Sequence, residues 1–157
     1  MNPNRRQALR QLRRAVFFAG LAAVAVAEPA NAFSLFREPV QRPAAQEFGF
    51  GPRDSAKHMY TVFLRPNETL RLRKLQSVRV LVLDATGRPV EGARITVDGG
   101  MPEHGHGLPT QPQVQGSLGG GMYDIEGVRF SMGGWWELKL SIETPQGVDR
   151  VTFNLSL

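Results

Sequence analysis

The residues with the most chemistry in this chain lie in one stretch, GGMPEHGHGLPTQP, residues 99–112. It carries two of the three histidines, His104 and His106, and one of the five methionines, Met101. His104 and His106 flank a glycine, so an extended backbone would aim both imidazoles the same way. Met101 stands three residues before His104, beyond the rigid Pro102. Neutral imidazole and thioether are borderline-to-soft donors, a set that favours copper over magnesium, calcium or manganese and leaves zinc as the weaker alternative. Met132, in RFSMGGWW, precedes two glycines at an expected strand end from which it can approach the loop; Trp135 or Trp136 would then shield the ion from water, favouring Cu(I). The candidate metal ligands are therefore Met101, His104, His106 and Met132. His58 and Met59 form a further candidate pair. An ordinary reading stands beside each: methionine as core filler, His58 as a surface histidine, and the loop imidazoles as caps of turns in a polar, Gly-rich segment.

The same residues weigh against catalysis. A zinc hydrolase with an H-x-H motif needs an Asp two residues after the second His, where this chain has Leu108, and a cupin needs a Glu where it has Pro109, Thr110 and Gln111. A histidine brace needs His at the mature N-terminus, and cleavage as read below would leave Phe33 there. Glu103 is placed to act as a base, but no nucleophile, oxyanion hole or paired carboxylate accompanies it, so no enzyme is expected. The absence of cysteine removes thiolate blue-copper, c-type haem, iron–sulfur and disulfide chemistry together.

The chain begins with the basic segment MNPNRRQALRQLRR, followed by AVFFAGLAAVAVA and EPANA, the three parts of a signal peptide, with cleavage expected after Ala32. The apolar run of 13 residues falls short of the roughly 20 that span a bilayer, so no stable membrane span is expected after cleavage, although a retained anchor is the alternative. Arg5-Arg6 resembles a twin-arginine export signal and equally fits the positive charge of any such segment. A periplasmic or secreted location follows. The formal charge of +5 shrinks accordingly: the first 32 residues hold five Arg and one Glu, which leaves 14 basic against 13 acidic residues and no footprint for nucleic acid.

At 157 residues, one domain is expected. Residues 33–56 are broken by Pro and Gly without a sustained period and read as an extended N-terminal arm. Residues 57–157 alternate in short runs between turn residues, the pattern of an all-β, immunoglobulin-like antiparallel sandwich of about seven to eight strands. The expected strands are 59–64, 70–73, 78–84, 93–97, 113–118, 122–126, 135–143 and 148–156. Trp136, Leu138, Leu140 and Ile142 should face the core, and the 78–84 strand should be buried on both faces. Alternation sends one of the adjacent Trp135 and Trp136 outward, where it would cover the loop or anchor a partner protein.

GGMPEHGHGLPTQPQV, followed by GGGMYDIEGVRFSMGGWWELKLSI, resembles the YtkA-like and FixH-like family of small exported or membrane-tethered β-sandwich domains, from about Val78 to Leu157. The resemblance implies copper handling or assembly of copper-containing respiratory oxidases, with the metal at Met101, His104, His106 and Met132 and a copper-receiving envelope protein as partner. The chain departs from it at Gln76-Ser77-Val78, where some relatives are expected to place a His and a Trp; a site lacking that donor would be weaker or suit a different metal. A non-metal interaction module that binds by strand addition is the alternative function.

Overall fold

The computed structural model describes residues 39–157; the segment read as a signal peptide lies outside the described residues. Nine antiparallel strands form two sheets. They are β1 (Arg53–Asp54), β2 (Tyr60–Pro66), β3 (Gln76–Asp84), β4 (Arg94–Met101), β5 (His106–Gly107), β6 (Gln113–Gly119), β7 (Met122–Val128), β8 (Trp135–Thr144) and β9 (Gly147–Ser156). One sheet runs β1-β2-β3-β7-β6 and the other β5-β4-β8-β9. No α-helix occurs among the described residues, and none there is long and apolar enough to cross a membrane.

Period-two alternation generates the core. Val62 and Leu64 of β2, Val78, Val80 and Val82 of β3, and Trp136, Leu138, Leu140 and Ile142 of β8 are all buried, and Val151, Phe153 and Leu155 of β9 complete the layer between the sheets. Burying faces of this kind contributes ~25 cal/mol per Å² of apolar surface, which suits a domain that has no disulfide to lean on. The expected double-sided burial of the 78–84 strand is corrected: Arg79 on its other face is exposed, and Leu81 and Leu83 are only partly covered.

Three further expectations change. Residues 70–73 form a loop, not a strand, touching β-structure only at an isolated parallel bridge between Leu72 and Phe130. Arg73 takes φ +62° there, and the Gln76 side chain clamps the loop by accepting from Arg71 N and donating to Arg71 O. The segment read as an extended arm carries a 3-10 turn, Ala45–Glu47, and then β1, which pairs with β2. Trp135 and Trp136 do point to opposite faces, yet neither is exposed. Trp135 is covered on the outer face of its sheet by Phe48, whose ring meets it edge-on at 6.4 Å, and its indole N–H donates to Asn154 Oδ1 at 3.0 Å. No exposed tryptophan is left to anchor a partner.

At the end of the sandwich holding the β8–β9 turn, buried Asp149 ties the chain before β2 to β9. It accepts from Ser55 Oγ at 2.5 Å, Lys57 N at 3.0 Å and Met59 N at 3.2 Å. Burial alone would raise this carboxyl, but hydrogen bonds from Ser55, Arg150, Lys57 and Met59 outweigh it and hold the group below its ordinary value. A carboxylate with a depressed folded pKa stabilises above the unfolded value of about 4, and that contribution is lost as pH falls through the folded pKa. Asp149→Asn is expected to cost ~1–3 kcal/mol at neutral pH and to flatten the acid limb of stability; urea melts from pH 7 down to pH 2 check both.

Candidate metal centre

The loop sequence closes a tight β4–β5 hairpin. His104 N and Gly105 N both donate to Met101 O, at 3.1 and 2.9 Å, and Gly105 supplies the positive φ of +68° that the turn requires. The two imidazoles therefore come together through a turn rather than along an extended strand. Their rings stack with centroids 5.8 Å apart and planes 26° from parallel, both exposed to solvent. The preceding glycines allow the strands to approach: a Cβ on Gly99 would collide with the Glu137 carbonyl oxygen, and one on Gly100 with the His106 carbonyl oxygen.

His106 lies directly opposite Met101 in the β4–β5 register, and residues so paired share a face. That face is the inner one. Met101 is 1% exposed and belongs to the core, while the His106 ring meets the edge of Trp136 at 6.1 Å and 64°. Trp136, itself fully buried and packed edge-on against Phe130 at 5.3 Å, donates its indole N–H to Met132 O at 2.9 Å. Met132 is 41% exposed on the β7–β8 connection. One indole thus touches the imidazole loop and holds the backbone of the second methionine segment. Met101, His104 and His106 therefore share one hairpin, with the imidazoles at the surface and Met101 in the core, and the Met132 backbone is joined to it through Trp136.

Gly134 makes room for Met101, because a Cβ there would stand 2.8 Å from the Met101 methyl carbon, on a backbone at φ +128°. Gly134→Ala is expected to cost ~1–3 kcal/mol through overpacking and backbone strain. Thermal melts measure the loss, and a shifted Met101 methyl resonance would report its origin.

His58 and Met59 do not join this group. The terminal methyl of Met59 lies near Gly147, and its neighbour Tyr60 hydrogen-bonds Thr144 Oγ1 at 2.7 Å, at the far end of β8. Trp136 and Thr144 are eight residues apart along that strand, about 27 Å at the usual rise. Gln76, at the position where the resemblance suggested a further histidine, is buried and occupied with the Arg71 backbone. Among the described residues no three His, Cys, Asp or Glu side chains gather where an ion could sit. A hard, carboxylate-rich site is therefore not what these residues build. Two imidazoles paired across a hairpin whose core side carries the Met101 thioether are donors of the kind that suit a soft or borderline cation.

Two features of this end escaped sequence reasoning. Arg42 of the N-terminal segment stacks over Phe48 at 5.3 Å and reaches Glu103 in the hairpin turn at 3.5 Å, so residues far apart in sequence meet at the loop. Exposed Leu72 bridges to Phe130 and reaches Gly133, the neighbour of Met132, and Leu75 is exposed three residues on, with Arg71, Arg73 and Lys74 around them in the sequence. Only the burst of charge and leucine in LRLRKL hinted at these exposed leucines.

The YtkA-like family profile matches residues 54–141, more than half of the chain. The chain belongs to the YtkA-like family. The matched span runs from β1 into β8 and takes in the whole β4–β5 hairpin, Met132 and Trp136, so the YtkA-like region contains every candidate ligand. Comparison with curated proteins finds no significant match. Among solved structures, this YtkA-like chain is similar to the ZirS C-terminal domain, at 12% identity and a TM-score of 0.38, covering 74% of this chain and 82% of that one.

Proposed function

We propose that this YtkA-like protein is an exported copper-binding protein of the cell envelope, which holds the ion on its Met/His hairpin and passes it to a receiving protein. The observation that carries the reading is the stacked His104–His106 pair lodged over Trp136, the residue that also holds the Met132 segment. Such a set is suited to cargo rather than to a permanent cofactor. The imidazoles are exposed and sit on a short hairpin, so an incoming ligand can displace them one at a time, while buried Met101 offers a thioether from the core side. Export is supported by the N-terminal basic and apolar segments. Exposed Leu72 and Met132, close together through Gly133, would offer apolar surface to a receiving protein.

A non-metal interaction module is the second reading, favoured by the same exposed apolar residues. Competitive titration separates the two. One equivalent of Cu(I) per chain is expected to bind against a chromophoric chelator, with zinc weaker by orders of magnitude. A protein that takes up neither ion under those conditions belongs to the second reading.

A further inference from the structure

The four-stranded sheet has an open flank at β4. Gly99 O accepts from Leu108 N on the side away from β8, and β4 pairs with β8 from Arg94 to Gly100 without a register shift. Alternation then directs the backbone N–H and C=O of Val97 and Ile95 to that same outer side. Among the described residues neither receives a backbone partner there, since β5 pairs only with Gly100 and Met101. A cleft of about 450 Å³ runs alongside, between Ile95 and Val97 on one wall and Leu108 and Val114 on the other. Open edges of this kind are templates for another strand.

The sequence of the edge, Arg94-Ile95-Thr96-Val97-Asp98, is complementary to itself. We propose that a second copy of this chain docks here, β4 against β4 in antiparallel register about a two-fold axis at Thr96, joining the two sheets into one. In that register Ile95 and Val97 of one copy exchange both backbone hydrogen bonds with Val97 and Ile95 of the other. Arg94 falls opposite Asp98 twice. Both side chains are exposed and share the outer face with Thr96. Among the described residues Arg94 has no ion-pair partner, and Asp98 uses only Oδ1, to accept from Gly99 N. The neighbours on β8 extend the pattern, because Asp98 lies beside Lys139 and Arg94 beside Glu143. Each row across the joined sheet then reads Lys, Asp, Arg, Glu, alternating in sign. A two-residue slip would remove both charge pairs, so the register is specified. Pairing stops after five residues because Gly92, at φ +67°, turns the chain away at one end and β5 occupies the edge at the other. So short a contact makes a weak, reversible dimer.

The chain has no cysteine, which makes the test clean. Thr96→Cys puts one thiol on the axis, at a non-hydrogen-bonded pair whose ~4.5 Å Cα separation admits a disulfide. Lys139→Cys, on exposed β8 surface away from the axis, is the control. Mild oxidation of the full chain, with a metal chelator present so that no ion bridges two copies, is expected to cross-link the first variant and not the second. In sedimentation equilibrium Arg94→Asp should weaken the dimer about tenfold, and the swap Arg94→Asp/Asp98→Arg should restore it. A monomeric chain, equal cross-linking of the two cysteine variants, or a dimer indifferent to Arg94→Asp overturns the assignment. None of these outcomes depends on copper.

Discussion

His104→Ala/His106→Ala is expected to weaken copper binding by more than about a hundredfold while leaving the fold intact. Losing a partner that merely orients a ligand costs about 10- to 100-fold in metal affinity, and these substitutions remove two direct donors at once. Stability should fall by ~1 kcal/mol at most, because both side chains are exposed and only His106 gives up a packing contact, with Trp136. The hairpin itself is closed by backbone bonds to Met101 O, which alanine preserves. Competitive Cu(I) titration and a thermal melt of the same sample make the comparison. Stoichiometric binding that survives both substitutions would mean the ligands lie elsewhere.

Trp136→Ala carries the largest expected stability effect. The indole is fully buried, packs against Phe130, supports His106 and donates to Met132 O. Truncating a buried aromatic to alanine costs ~3–5 kcal/mol, and the Met132 carbonyl is left without its donor. For a domain of this size the melting temperature should fall by about 10–20 °C. Trp136→Phe separates the two contributions. It keeps a ring in place and forfeits the hydrogen bond, so a loss of ~1–2 kcal/mol is expected, with copper affinity falling because the Met132 segment is no longer tied to the hairpin. Chemical denaturation of both variants measures the split.

Most of the sandwich was legible because a half-buried strand writes its period into the sequence. Trp136, Leu138, Leu140 and Ile142 announce the inner face of β8, and all four are buried. The two-residue strands β1 and β5 are too short to show a period, and both were missed. LRLR at residues 70–73 has the alternation of a strand but finds no neighbour to pair with along its length, and Arg73 at φ +62° breaks the run. Trp135 shows another limit. Its outward direction follows from alternation, whereas its cover, Phe48, lies 87 residues away and depends on long-range packing that no local pattern encodes.

The same division applies to the metal site. His104 and His106 are neighbours in sequence and were readable as a pair; what brings them together is the turn at Gly105. The contact of His106 with Trp136, thirty residues further on, is tertiary and leaves no local trace, whereas the bond from Trp136 to Met132 O spans four residues and the pairing of Met101 with His106 is made inside the hairpin itself. Glycines carried more information than a generic loop would need. Gly99, Gly100 and Gly134 mark places where another backbone or the Met101 methyl approaches too closely for a side chain.

X-ray absorption of the Cu(I)-loaded protein tests the central claim most directly, since it reads the donor atoms around the ion. A mixed first shell of imidazole nitrogen and thioether sulfur is the expected result, with the imidazole scattering lost in His104→Ala/His106→Ala. A shell of nitrogen and oxygen alone, unchanged by those substitutions, would contradict it.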